Sequence, residues 1–384
     1  MTISSNHPPA GSTWEAIRGE KLLFPGILTS VAFLLFGGGW LGNLSNPWLA
    51  GFFFVWLFAA ILISGFCVVR HADCIAIKLG EPLGTLVLTL SVIGMEVLMV
   101  SAVMLSGTPD PTMARDTMFG VIMIALNGLV GVALLAGGWR HHEQQYNLQG
   151  TVSFLTMLVP LAIAGLVLPY YTAANSSPAL FKFRAVALII TMAGMYAAFL
   201  AVQTRRHPEH YLEPKKARLS DEAAEAMEHG HFVVRSLPFH VGLLMAYLLP
   251  VVILAKKLAI VLGFGAARLG VPQAFSGVIV AILILCPEGL AAVRAAWGNR
   301  IQRSVNILFG SALSTIALTV PAVLTISLMT GRHIELGLSP VNQIILCVTL
   351  AVSALNCVSG KTNVLNGLVH LVLFLSYLIL MFEP

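Results

Sequence analysis

Residues 117–138 read TMFGVIMIALNGLVGVALLAGG, 22 positions without one charged side chain. A helix needs about 20 predominantly apolar residues to cross the hydrocarbon core of a bilayer, so this run predicts a membrane span. Similar runs lie on either side of it, near 25–43, 48–69, 83–106, 151–169, 185–203, 241–263, 273–296, 305–330, 339–359 and 364–382. Those at 151–169 and 185–203 are also free of charge. All are long and continuous, whereas the strands of a membrane barrel alternate in polarity over about 10 residues. The sequence therefore predicts an all-α polytopic membrane protein with about 11 transmembrane helices.

Composition agrees. Of 384 residues, 57% are hydrophobic and 10% charged, against about 25% charged in an ordinary soluble domain. Lipid must act as the solvent for the surplus apolar surface. The net charge of +5 belongs to basic loops that orient a membrane protein, so membrane lipid rather than nucleic acid is the expected partner. Cys67, Cys74, Cys286, Cys347 and Cys357 stand singly, without C-x-x-C spacing, so neither a disulfide framework nor a zinc site is expected. His142-Glu143-Gln144-Gln145-Tyr146 lacks the second histidine of an H-E-x-x-H site. Walker A, G-x-S-x-G and Rossmann patterns do not occur. The reading is therefore not an enzyme, and no cofactor is implied. The N-terminal segment, with Arg18 and Lys21 beside the first apolar run, has no small-residue cleavage pattern of a signal peptide.

Lys and Arg fix the orientation. With the N-terminus in the cytoplasm, inner loops hold 15 basic residues, among them Arg70, Lys78, Arg140, Arg205, Arg206, Arg300, Arg303 and Lys361. Outer loops hold 5, namely Arg115, Lys182, Arg184, Arg268 and Arg332. That asymmetry follows the positive-inside rule. Lys256 and Lys257 fall in the outer half of the seventh run, where long stems snorkel to the interface. An odd number of spans leaves the C-terminus outside. The expected location is the cell (inner) membrane, with a cytoplasmic N-terminus and a periplasmic C-terminus.

A weak internal repeat divides the chain. Leu79-Gly80 precedes an apolar run with one acid, Glu96; Leu269-Gly270 precedes another with one acid, Glu288. The expected organisation is a cytoplasmic N-terminus and first helix (1–46), a first five-helix repeat (47–203), a polar cytoplasmic linker (204–240) and a second five-helix repeat (241–384). Five is odd, so the second copy enters from the opposite side, an inverted arrangement with its site at the midplane. In the linker, Ser220 caps a short acidic helix bearing Asp221, Glu222, Glu225, Glu228, His229 and His231.

Of the 17 acidic residues, Glu96 and Glu288 alone lie deep inside spans. A charge at that depth costs about 2.5–3.5 kcal/mol on insertion scales, and such residues face the bundle interior. Gly94 lies just before Glu96. Pro287 precedes Glu288, and a proline removes the N–H that would bond the carbonyl of Leu283. Carboxylates, a freed carbonyl and the neutral oxygens of Asn127, Ser311, Ser314 and Thr315 compose a hard-cation set. Burial penalises the charged form of an empty carboxyl, so proton and cation compete for one place. The plain alternative is a protonated glutamate bonded to a neighbouring helix. For His370, inside the last span, a hydrogen bond to a neighbouring helix is the plainer reading than a proton relay.

Gly84-Thr85-Leu86 through Gly94-Met95-Glu96, and Pro287-Glu288-Gly289-Leu290, resemble the two repeat signatures of the cation/calcium exchanger superfamily. Gln302-Arg303-Ser304 with Gly310-Ser311-Ala312-Leu313-Ser314-Thr315 resembles the helix after the second signature. Arg115-Asp116-Thr117 with Asn127-Gly128 is similar to the bacterial ChaA-type calcium/proton (sodium/proton) branch. Val92-Ile93 and Ile284-Leu285 stand where the common signature carries Gly-Asn, and Thr315 where many relatives carry Gln. The resemblance covers roughly residues 70–380. It implies two inverted five-helix repeats plus an extra N-terminal helix. It also implies a secondary antiporter exchanging Ca2+, with Na+ and K+ as further candidates, for H+. A cation channel or uniporter using the same carboxylates is the alternative. Nothing in the sequence fixes an oligomeric state.

Overall fold

The computed structural model describes residues 20–42, 44, 46–80, 83–105, 111–173, 178–214, 235–272 and 274–382. The acidic helix expected from Ser220, and the terminal Glu383-Pro384, lie outside the described residues.

Eleven helices longer than ten residues follow one another among the described residues: α1 (Leu23–Leu35), α2 (Pro47–Leu79), α3 (Leu83–Met104), α4 (Met113–His141), α5 (Leu148–Thr172), α6 (Pro178–Ala201), α7 (Leu237–Leu269), α8 (Ala274–Trp297), α9 (Ile301–Thr330), α10 (Pro340–Cys357) and α11 (Val364–Leu380). Nine are long and apolar enough to cross a membrane; α1 and α11 are shorter apolar helices. The short helix Gly37–Gly42 extends α1.

Two helices run further than hydropathy places them. α2 and α7 have 33 residues each, about 50 Å at 1.5 Å per residue, against about 30 Å of hydrocarbon. The apolar run ends near residue 69, yet α2 continues through Arg70, His71, Asp73 and Lys78 to Leu79. Hydropathy marks where lipid stops; the backbone hydrogen bonds do not stop with it. Asn46 caps α2 by accepting from the Trp48 N–H, with Pro47 pre-set in the first turn. Both long helices end on a glycine at positive φ, Gly80 (66°) and Gly270 (65°), a conformation glycine adopts at no steric cost.

α2 packs along α7, and α3 packs on both. α4 and α9 sit at the centre: 83% and 78% of their most apolar stretches are buried, against 22% for α6. Each central helix widens into a π turn near its middle, Ile124–Leu129 in α4 and Thr315–Thr319 in α9. Glycine lets α4 meet α11 closely. A Cβ on Gly367 would stand 2.7 Å from the Leu135 nitrogen and 2.8 Å from the Gly131 oxygen. Most span hydroxyls bond back to their own helix, as Ser91 does to Val87 and Thr117 to Met113, which satisfies them without water.

The loops gather on two faces. On one, β1 (Gln144–Gln145) pairs antiparallel with β2 (Lys361–Thr362), Gln144 opposite Thr362, and Arg140 reaches the Trp297 carbonyl. On the other, Arg115 donates to the Gly337 carbonyl and Arg332 to that of Met104. Arg140 and Lys361 thus share one face, and Arg115 and Arg332 the other.

A polar cluster ties the segment before α1 to the ends of α2 and α7. Glu20 pairs with Arg70 and accepts from the Tyr247 hydroxyl at 3.1 Å. His71 Nε2 lies 3.7 Å from the same carboxylate, and His71 Nδ1 is 3.0 Å from His240 Nδ1. The Arg235 N–H donates to His240 Nε2 at 2.9 Å. The His71 imidazole, with the Arg70 guanidinium, holds the Glu20 carboxyl at about 2 against the opposing effect of burial.

Candidate functional site

The two deep acids come from α3 and α8, and each helix packs on the π turn of a central partner: α3 on that of α9, α8 on that of α4. Glu96 is 2% exposed. Its Oε2 accepts from the Thr315 hydroxyl and its Oε1 from the Thr319 hydroxyl, both at 2.9 Å. Both threonines are fully buried. Thr315 Oγ1 is equally close to the Ser311 carbonyl, at 2.9 Å, so its one proton serves two acceptors. Thr319 makes its bond across to α3 rather than within α9, unlike the back-bonded hydroxyls of the fold.

Glu288 differs. Its Oε2 is buried and has no hydrogen-bond partner among the described residues, and Ser311 lies beside it. Glu288 is within electrostatic reach of Glu96, and Tyr196 of α6, itself buried, is within reach of both. An ionised carboxylate oxygen buried without a donor is unfavourable unless a proton or a cation meets it. The donors that meet the two acids among the described residues are hydroxyls, and carboxylates with hydroxyls fit a hard cation.

The remaining expected residues fall as follows. Ser314 turns its hydroxyl back to the Ser311 carbonyl at 2.9 Å. Asn127 is in the α4 π turn, where its amide donates to Thr349 Oγ1 at 2.8 Å and its oxygen faces His370 Nδ1 at 3.1 Å. That contact is the plain role foreseen for His370. Pro287 lies inside α8, which passes through it unbroken; the Leu283 carbonyl still lacks its α-helical donor because proline has no N–H. A methyl at Gly94 would meet nothing within 4 Å. The backbone irregularity expected beside the two acids is therefore found on the facing helices, α4 and α9. Gly289 has a different use: a Cβ there would meet Leu129 of the α4 π turn at 2.7 Å.

Thr319 and Tyr196 were missed from the sequence. Thr319 carried a signal, since it follows Thr315 by four positions and so shares its helix face. Tyr196 carried none; an aromatic in a charge-free span reads as core.

Comparison with known proteins places these residues in context. The sequence pattern of a family described as sodium/calcium exchanger protein matches residues 49–205 and 239–383. The chain is 40% identical over 323 residues to the sodium-potassium/proton antiporter ChaA of Escherichia coli (strain K12), covering 84% of this chain and 86% of that one. It is 25% identical over 304 residues to a Ca(2+)/H(+) antiporter of Aphanothece halophytica, covering 76% and 80%. Among solved structures, native YfkE superposes with a TM-score of 0.70 at 17% identity, over 94% of this chain and 98% of that one. The H+/Ca2+ exchanger CAX gives 0.63 at 14% identity, over 97% and 88%.

Proposed function

Because the chain belongs to the sodium/calcium exchanger protein family, we propose that it is a secondary antiporter that exchanges a cation for protons. Glu96 and Glu288 are the groups for which the two ions compete. The observation that carries this reading is the pair of buried carboxylates itself. One is held by two threonine hydroxyls, the other has a buried oxygen with no partner among the described residues, and the helix of each packs on a π turn. A cation binds both carboxylates in their ionised form. Protons reaching the site neutralise them and eject the cation, and a site with both charges bare is too costly to move across the membrane. If only these two groups titrate, one divalent cation, or two monovalent ones, exchanges for two protons.

Ca2+ is the first candidate cargo, with Na+ and K+ next. The named relatives support both groups, and the low share of amide oxygens near the carboxylates favours no single ion. Ser311 and Thr315 stand beside the two acids; Asn127 ties the first π turn to α10 and α11 through Thr349 and His370, and Ser314 bonds the Ser311 carbonyl at the start of the second; Pro287 leaves the Leu283 carbonyl without its helical donor, and Gly94 adds no bulk beside Glu96. The organisation is two five-helix units, α2–α6 and α7–α11, inverted with respect to each other, with α1 outside the repeat. Three matches support it: the equal 33-residue first helices, the Leu-Gly endings and the π turns of the third helices. The face carrying β1 and β2 is cytoplasmic, on the weight of its lysines and arginines. The protein sits in the cell inner membrane.

The test uses purified protein in liposomes with an internal pH dye, challenged in turn with Ca2+, Na+, K+ and Mn2+. Cation added outside should enter down its gradient and drive protons out. Cation flux that neither drives nor needs proton movement would favour a channel or uniporter and overturn the reading.

A further inference from the structure

After α6 the chain turns through Val202–Arg206 into a short strap, Pro208–Tyr211, on the face that carries β1 and β2. We propose that His207, Glu209 and His210 on this strap form a binding site for a borderline divalent transition-metal ion such as Zn2+ or Ni2+, separate from the membrane carboxylates.

Geometry is the first argument. One ligand atom from each residue lies within 4.8 Å of the other two. Glu209 Oε1 is 3.3 Å from His207 Nδ1 and 3.7 Å from His210 Nε2. Metal–ligand bonds of about 2.0–2.1 Å at tetrahedral angles put neighbouring ligand atoms about 3.4 Å apart, so two edges of the tetrahedron are nearly in place. The two imidazoles stack, with centroids 4.9 Å apart and planes 4° from parallel, and each has a ring nitrogen within 3.7 Å of the same carboxylate oxygen.

Rigidity is the second. The side-chain tips are accessible, but the backbone beneath them is pinned. The His210 carbonyl lies against Gly150 of α5, where a Cβ would be 2.1 Å away. Asn147 donates to the Glu209 carbonyl at 3.2 Å and Asn306 of α9 to that of Tyr211 at 2.6 Å. Tyr211 is buried against Phe154 and Phe199. With the backbone fixed, only side-chain rotamers remain to be ordered when an ion arrives. Ligand type then selects the ion: two imidazoles and one carboxylate suit Zn2+ or Ni2+, whereas Ca2+ takes 6–8 oxygens. Water completes the coordination.

The test uses full-length purified protein, stripped with a chelator and titrated with Co2+. The wild type should give the strong visible band of tetrahedral Co2+ at one equivalent per chain, and Zn2+ should remove it. Excess Ca2+ should not. His207→Ala and His210→Ala should each lose the band, Glu209→Gln should weaken it, and Glu96→Gln should keep it. Zn2+ should raise the thermal midpoint of the wild type but not of His210→Ala, while the metal-free midpoints agree. An unchanged band in His207→Ala and His210→Ala, or no tetrahedral band in the wild type, would overturn the proposal whatever the transport assays give.

Discussion

Thr319→Val removes one hydroxyl and little else, and the structure gives the size of the effect. Thr319 Oγ1 donates to Glu96 Oε1 at 2.9 Å, with both residues buried. A hydrogen bond to a charged group contributes about 1.5–3 kcal/mol. Losing it weakens the ionised form of Glu96, the form that binds the cation, relative to the protonated one. At about 1.4 kcal/mol per tenfold, the cation concentration for half-maximal exchange at fixed pH should rise about 10- to 150-fold. Thr315→Val should do less, because the Thr315 proton is shared with the Ser311 carbonyl. Ser314→Ala should do least, since that hydroxyl bonds within its own helix. The assay is proton-coupled flux in liposomes across a cation series, on variants matched for thermal midpoint. Half-maximal values within twofold of wild type for Thr319→Val, or a larger effect from Ser314→Ala, would refute the reasoning.

Glu96→Gln and Glu288→Gln keep size and polarity but remove the charge, and each should abolish exchange in the same assay while the purified protein remains monodisperse. Gly367→Ala pushes a methyl to within 2.7 Å of the Leu135 backbone, and overpacking of this kind costs about 1–3 kcal/mol; a thermal scan in detergent should show the loss. Glu20 titrates at about 2, below its ordinary value of 4.5. Its pairing with Arg70 and His71 therefore stabilises the fold fully above about pH 4.5 and fades as pH falls toward 2. The thermal midpoint of wild type should fall more steeply than that of Glu20→Gln below about pH 4.5, and parallel curves would remove Glu20 from that role.

The spans were legible in the sequence because lipid imposes one rule, length without charge, on every helix that crosses it. The same rule hid the ends of α2 and α7: Arg70, His71 and Lys78 end an apolar run without ending a helix. Glu96 and Glu288 stood out because an acid in an apolar run has no other reason to be there. Their partners did not. Thr315 was found through its neighbours in a polar stretch, but Thr319 sits among Ile316, Ala317 and Leu318 and looks like filler. Asn127 reads as an oxygen donor for an ion, yet its amide is engaged with Thr349 and His370, residues more than 200 positions away. Backbone irregularity was sought at Gly94 and Pro287, where residue types advertise it; the π turns at Ile124–Leu129 and Thr315–Thr319 contain no proline, and only the first contains a glycine.

A π turn closes its hydrogen bond over one more residue than an α turn. Each central helix therefore carries one position beyond the count its length would need as a plain helix. An added residue advances a helix by about 100° and 1.5 Å, so the stripe that faces the core along Ile301–Ser314 does not continue along Val320–Thr330. The lower half of α9 presents its face to α5, and the upper half presents another to α6. Removing one residue within Thr315–Thr319 would leave every downstream side chain chemically intact and turn all of them by more than a quarter of a revolution. The register of the second half of each central helix is in this sense stored in a single surplus residue beside the carboxylates.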